Sequence, residues 1–369
     1  MEHTEDVNAD NVRADNTETA AMDPLMDALQ VGDLEAFKCG LSHDVRNPNE
    51  VFKYALVHGH MEAVKLMILD NRFNPAMCTN LAFEFVSRHG DTEVAAMLLA
   101  DPRVDPSAND NYAFIAACQM GFIEIVRMLL ADKRVNPRAQ NDAAFQSAMY
   151  AQRVDVLKLL LADGRIDPTF DDNLPLLHAA KTGFAMDLLL ANPRINPSVR
   201  DNAAIRLAAS RGLADTVALL LKDLRVDPAA DDNYAIMTAS INGFTEVMKL
   251  LLEDDRVDPG ACNNIAIRIA ASQGHVEAVR LLLEDDRVGD ACGNALRRAV
   301  QNGHTKIVRL LLADGRVSTG FEDALDVSPN AEITELLKTA ISRKKFQIYV
   351  GRGILLVSII WTLFACVYA

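Results

Sequence analysis

Residues 233–259 read NYAIMTASINGFTEVMKLLLEDDRVDP, and the order of residue types describes two helices closed by a break in the chain. Asn233 stands where a helix N-cap is expected, and Ile236, Ala239 and Ser240 follow at the i, i+3, i+4 spacing of a buried stripe. Gly243 is placed to end that helix, since a left-handed residue after the last turn carries no steric penalty for glycine. A second helix then turns Val247, Leu250 and Leu251 inward, with Leu252 extending the run toward the next unit. RVDP stops it, because Pro259 has no backbone donor with which to continue a helix.

The same unit returns along the chain. An arginine followed by a β-branched or aromatic residue recurs at Arg72, Arg103, Arg134, Arg165, Arg194, Arg225, Arg256, Arg287 and Arg316, at intervals of 31 residues with two of 29. Asparagines in the cap position recur at Asn49, Asn80, Asn111, Asn173, Asn202 and Asn264, and helix-ending glycines at Gly59, Gly90, Gly121, Gly183, Gly212, Gly274 and Gly303. Two departures stand out. Gln152 replaces the glycine, which predicts a left-handed non-glycine residue or a reshaped turn. In the Gly183 unit FAMDLLL is two residues shorter than FTEVMKLLL, which removes about half a turn of the second helix.

A fixed period predicts an all-α solenoid whose core lies between neighbouring repeats, so that 369 residues need not be several globular domains. Half the residues are apolar but only 6% are aromatic, which suits closely stacked helices. The formal net charge of -14 and the lack of a concentrated Lys/Arg stretch in the repeats argue against a nucleic-acid partner. Six scattered cysteines without a CxxC pair indicate neither a zinc site nor a disulfide framework. Residues 1–22 are polar and mostly acidic, which predicts a disordered leader and excludes a cleaved secretory signal.

A helix, a glycine turn, a second helix ending in LLL and an extended link together resemble the ankyrin repeat. Residues 264–283, NIAIRIAASQGHVEAVRLLL, carry its AA, GH, E, V and LLL elements, and residues 175–180, PLLHAA, keep its proline and leucine. The resemblance covers residues 23–341 and implies about nine full repeats plus caps, a concave protein-binding surface and no cofactor, metal, small-molecule substrate or enzymatic activity. The loss of two residues from the link implies a blunted hairpin finger. Residues 23–41 and 321–341 read as the two caps.

Beyond them, residues 342–347 form a basic linker and residues 348–369 an apolar stretch. Gly353 to Ala369 holds 17 residues without a charge, about 25 Å of helix, and the cations Arg343, Lys344, Lys345 and Arg352 precede it. This pattern predicts a single-pass tail anchor with the repeats in the cytosol, either as a true tail anchor or as the start of a multi-pass region.

No catalytic motif is present. His60, His275 and His304 occupy the position after the glycine, where an inter-repeat hydrogen bond is expected, although His58, His60 and His89 invite a metal reading. The arginines are expected to offset second-helix dipoles, with Asp105, Asp167, Asp227 and Asp258 two residues on. Counted from the Asn position, residues 3, 6 and 7 should be buried and 1, 5 and 8 lie opposite. The partner-binding candidates on that side are Tyr112, Met120, Tyr150, Lys181, Arg211, Tyr234 and Ile241. The expected function is a membrane-tethered interaction scaffold; the alternative is an adaptor that recruits substrates for an enzyme such as a ubiquitin ligase.

Overall fold

The computed structural model describes residues 24–345 apart from 290–291, 316 and 318–319. The described residues contain helices and no strand. They divide into two compact units that meet in the chain between Arg165 and Ile166. The N-terminal unit holds five helix pairs, from Pro24–Val31 with Leu34–Gly40 to Ala139–Tyr150 with Val154–Ala162. The C-terminal unit begins with Phe170–Thr182 and Met186–Leu190 and closes with Phe321–Leu325 and a helix over residues 331–345. Within each unit first helices pack on first helices and second on second, so the core lies between two layers.

In the unit that decided the fold, Ile236, Ala239 and Ser240 are buried as expected. The second helix buries Val247, Met248 and Leu251, whereas Leu250 and Leu252 are only half-buried. Three adjacent leucines cannot share one face of a helix, and the stripe at i, i+1, i+4 takes Met248 in place of Leu250.

The asparagines do not cap their helices. Asn111, Asn173, Asn202, Asn233 and Asn264 each end a run of three left-handed residues, as in Asp231 (φ 57°), Asp232 (φ 54°) and Asn233 (φ 62°). A left-handed turn therefore precedes the right-handed helix, and at Asn111, Asn202 and Asn233 the side chain reaches the link of the following repeat. Asn111 Oδ1 accepts the backbone N–H of Asn136 at 2.7 Å, Asn202 that of Asp227 at 2.8 Å and Asn233 that of Asp258 at 2.7 Å. Asn80, also left-handed, does the same to Asp105 at 3.3 Å, and Asn49 lies within Pro48–Val57. Asn330, by contrast, is a true cap, accepting the N–H of Ile333 at 2.9 Å. Left-handed backbone costs an ordinary side chain roughly 1–2 kcal/mol, and Asn and Asp tolerate it best. Gln140, Asn141 and Asp142 form a sixth such turn, and Asn or Asp fills fifteen of the eighteen positions in the six, which is why the turn can recur.

The glycines answer two demands at once. Gly243 has φ 69°, and a Cβ there would stand 2.6 Å from Nδ1 of His275 in the next repeat. The His275 Nε2 lies 2.9 Å from the Ile241 carbonyl oxygen, and His304 repeats the arrangement over Gly274 with the Ser272 carbonyl at 3.0 Å. In the N-terminal unit Arg153 takes this role, lying over Gly121 and donating its Nε–H to the Gln119 carbonyl at 3.0 Å. Gln152 adopts φ 56°, the first of the two outcomes expected where glycine is missing. The shortened repeat has a second helix of five residues, Met186–Leu190, entered through left-handed Ala185.

Candidate interaction faces

The repeated arginines form a ladder that is consumed by the fold. In seven of them the guanidinium grips the carboxylate two residues before it, as in Arg103 with Asp101 and Arg287 with Asp285, both at 2.6 Å. The aspartates two residues after the arginine are not the partners; Asp105, Asp167, Asp227 and Asp258 instead accept the backbone N–H of Ser107, Thr169, Ala229 and Gly260. The remaining guanidinium nitrogens reach back one repeat. Arg134 donates to the carbonyls of Val104 at 2.9 Å and Leu99 at 3.4 Å, and Arg287 to those of Val257 at 2.8 Å and Leu252 at 2.7 Å. Leu99 and Leu252 lie in the last turns of the preceding second helices, so each cation offsets its neighbour's dipole rather than its own. The arginine hydrogen bonds hold the carboxyls of Asp70, Asp101, Asp132, Asp163, Asp223 and Asp254 below the usual carboxylate range. At Arg194 neutral Asn192 takes the aspartate's place. Arg316 lies outside the described residues.

The first helices leave one side open. Of the residues expected there, Met120 (41% exposed) and Tyr150 (62%) are exposed in the N-terminal unit, and Lys181 and Arg211 in the C-terminal unit. Tyr112 is half-buried and Tyr234 is exposed (36%), with the guanidinium of Arg88 5.9 Å from the first ring and that of Arg206 5.5 Å from the second. Ile241 is half-buried. Position 5, expected to face outward, is buried at Ala116 and Thr238, because a first helix packs on both of its neighbours and its apolar stripe widens.

Sequence reasoning missed a row in the N-terminal unit. His58 and His89, one repeat apart, stack at 3.8 Å on Tyr54 and Phe85, four residues earlier in each helix. Each Nδ1 lies within hydrogen-bond distance of that residue's carbonyl oxygen, 2.9 Å and 2.7 Å, which places the proton on Nδ1 and leaves Nε2 an acceptor. Both rings line a groove of about 510 Å³ with Val57, Met61, Phe85 and Asp91. Val57 is 56% exposed, and Val154, which opens the second helix Val154–Ala162, is exposed as well. The signal was the 31-residue spacing of two histidines that follow an aromatic by four. Among the described residues no group of three His, Cys, Asp or Glu could hold a metal ion.

The C-terminal unit presents different chemistry. The right-handed stretches of five of its six first helices, residues 174–182, 203–211, 234–242, 265–273 and 294–301, contain no carboxylate, whereas the last, Phe321–Leu325, carries Glu322 and Asp323. The five carry Lys181, Arg206, Arg211, Arg268, Arg297 and Arg298. Cations 25 or more residues apart in the chain thus share one layer, a concentration that the linear sequence conceals. Beside Lys181, His178 is held below the ordinary imidazole range by burial and then by that cation.

Arg343, Lys344 and Lys345 lie on the helix over residues 331–345, where Lys344 Nζ stands 5.3 Å from the centre of the Phe321 ring. Arg352, the apolar stretch 348–369 and the leader 1–22 lie outside the described residues. Among the described residues no helix is long and apolar enough to cross a membrane.

A family model described as ankyrin repeats (three copies) matches residues 82–172 and 236–320. No curated protein matches the chain.

Proposed function

We propose, from the premise that this all-helical chain is built of ankyrin repeats, that it is a protein-interaction scaffold whose N-terminal unit receives a protein partner on its first helices. The fold is typical of binding modules without enzymatic activity. The observation that carries the reading is the exposure of the apolar side chains Val57, Met120 and Tyr150 on the first helices of this unit. Exposed apolar side chains beside a groove bury well against a partner, and tyrosine is favoured at the energetic centre of interfaces. The imidazole Nε2 acceptors of His58 and His89 would fix the partner's register there.

The apolar stretch 348–369 and the cations before it support tethering of this scaffold at a membrane, with the repeats on the cytosolic side. The test is proximity labelling in cells with the full chain, a Val57→Asp/Tyr150→Ser variant and a chain ending at residue 347. The expected outcome is that the double variant keeps its thermal midpoint and loses neighbours, and that only the full chain resists alkaline extraction. Unchanged neighbours in the double variant would overturn the binding face, and a full chain released at alkaline pH would overturn the tether.

A further inference from the structure

The last helix pair of the C-terminal unit reverses the proportions of the repeat. First helices before it run to thirteen residues, as in Ala230–Asn242 and Ala261–Gln273, and second helices to eight or nine, as in Thr245–Leu252 and Thr305–Ala313. Here the first helix, Phe321–Leu325, has five residues and the second, over residues 331–345, has fifteen. At 1.5 Å per residue the fifteen measure about 22 Å, the neighbouring Thr305–Ala313 about 13 Å and Phe321–Leu325 about 7 Å. Neighbours that short cannot cover the long helix along its length. A groove of about 940 Å³ runs beside it, with Leu312, Val317, Phe321, Leu336 and Ala340 in its apolar lining, and of these only Val317 is buried. A smaller groove of about 330 Å³ shares Phe321 and Lys344 with the first and adds half-buried Ile341. Among the described residues lining the larger groove the charges balance, Arg309, Arg343 and Lys344 against Asp314, Glu332 and Glu335, and Arg309 is paired with Glu332 at 2.8 Å. No net charge selects an ionic ligand there, and the lining suits an uncharged, apolar occupant.

The same unit supplies one. Residues 353–369, GILLVSIIWTLFACVYA, hold no charge and begin eight residues after Lys345, the last residue of the long helix. Gly351 and Gly353 flank Arg352, and glycine admits the backbone of a chain reversal at no steric cost. A turn there would set residue 354 beside residue 350. The sixteen residues from 354 onward, about 24 Å as a helix, would then reach back to the level of Glu335. That span covers the groove, whose lining on the long helix lies between Glu332 and Lys344. Ser358 and Thr362, four residues apart, would share one side of such a helix and could face water, leaving an apolar side for the groove.

We infer that this groove is the docking site of the chain's own apolar segment, residues 353–369, which folds back along the helix over residues 331–345 when no membrane takes it up. The groove and the bilayer then compete for one segment, and whatever fills or closes the groove drives the scaffold toward the membrane. The inference rests on the tether reading for its competitor alone, since docking itself needs no membrane.

Trp361 is the only tryptophan in the chain, so its fluorescence reports on this segment alone. Iodide quenching of the full chain is measured on the monomer fraction from gel filtration, in buffer without detergent or lipid. The parent is compared with a blocked groove (Leu336→Glu, Ala340→Glu) and with a stiffened turn (Gly351→Ala, Arg352→Ala, Gly353→Ala) that leaves the groove intact. The control is Lys338→Glu, at an exposed position of the long helix that lines neither groove. Quenching follows the undocked population, so the blocked and stiffened proteins should be quenched at least about threefold more strongly than the parent and the control. Their passage into assemblies while the parent stays monomeric is the same result, since an undocked apolar segment escapes water by self-association. Equal quenching in all four proteins overturns the inference, whether Trp361 is open to iodide or shielded. Protection of the parent that vanishes on dilution overturns it too, and would give the groove to a second copy. Vesicles of phosphatidylcholine and phosphatidylserine separate this inference from the tether. Protection in buffer without vesicle binding overturns the tether alone, and vesicle binding with equal quenching in buffer overturns the docking alone.

Discussion

The two units are made from one repeat and differ where the repeat does not constrain them. In the N-terminal unit the open side of the first helices carries Val57, His58, His89, Met120 and Tyr150; in the C-terminal unit it carries Lys181, Arg211, Arg297 and Arg298. Beneath both runs the same framework of Gly turns, Asn clamps and Asp–Arg pairs. The difference teaches that the parts holding one repeat to the next and the parts free to meet a ligand are separate sets of residues. Substitutions in the first set should change stability in either unit, and substitutions in the second should change binding alone.

The strongest way to break that separation is at the glycine turns. Gly243→Ala puts a methyl into a left-handed position and against the His275 ring, and should cost about 2–4 kcal/mol in a denaturant titration of the full chain. Gly164→Ala, with nothing near its Cβ and no left-handed backbone, should be close to neutral. In the other unit Gln152→Gly should gain up to about 1 kcal/mol by relieving the one left-handed residue in this series that is not glycine. A destabilised Gln152→Gly would show that the turn is set by something other than backbone strain.

Next come the clamps. Asn202→Ala removes the acceptor for the Asp227 N–H and should cost about 1–3 kcal/mol. Asn173→Ala should cost less, because the Asn173 Oδ1 accepts no hydrogen bond. The comparison is one of melting curves, and equal losses would mean that backbone conformation, not the clamp, carries the asparagine's contribution.

Smaller effects belong to the arginine ladder, whose ion pairs are partly solvated and screened. Arg225→Ala should lower the thermal midpoint modestly, and an unchanged midpoint with weakened partner binding would move this arginine from framework to face. The pH dependence has a definite sign. The paired aspartates titrate below their unfolded values, so their contribution is fully present above about pH 4 and is lost as pH falls through the depressed folded values. Asp223→Asn should flatten the acid limb of the midpoint curve, and Asn192→Asp should steepen it by supplying the pair that Arg194 lacks.

The smallest stability effects, within about 0.5 kcal/mol, are expected for Val57→Asp, Tyr150→Ser and Arg297→Glu. Their effects should be read in labelling and hardly at all in melting.

Much of the framework was legible because it is periodic. The 31-residue interval, the glycine turns, left-handed Gln152 and the truncated helix at Met186–Leu190 all follow from spacing and from what glycine and proline can do. What failed did so where a residue's role depends on its neighbour repeat. Asparagine before a helical stripe reads as a cap, and only packing shows Asn233 reaching Asp258 instead. The arginine has an aspartate on each side at two residues' distance, and only geometry selects Asp254 over Asp258 for Arg256. The faces were hardest to read, since Lys181 and Arg297 become companions only once four repeats are stacked.

The left-handed turns have a consequence in stereochemistry. At Asp171, Asp172, Asp231 and Asp232 the backbone occupies the mirror image of the ordinary helical well, which is the relaxed well of a D-amino acid. Epimerising these centres would relieve strain, while the same inversion nine residues later in the helix would introduce it. Each of these repeats thus contains, within one turn of chain, a place where the opposite chirality of its own building block would fit better than the one it has.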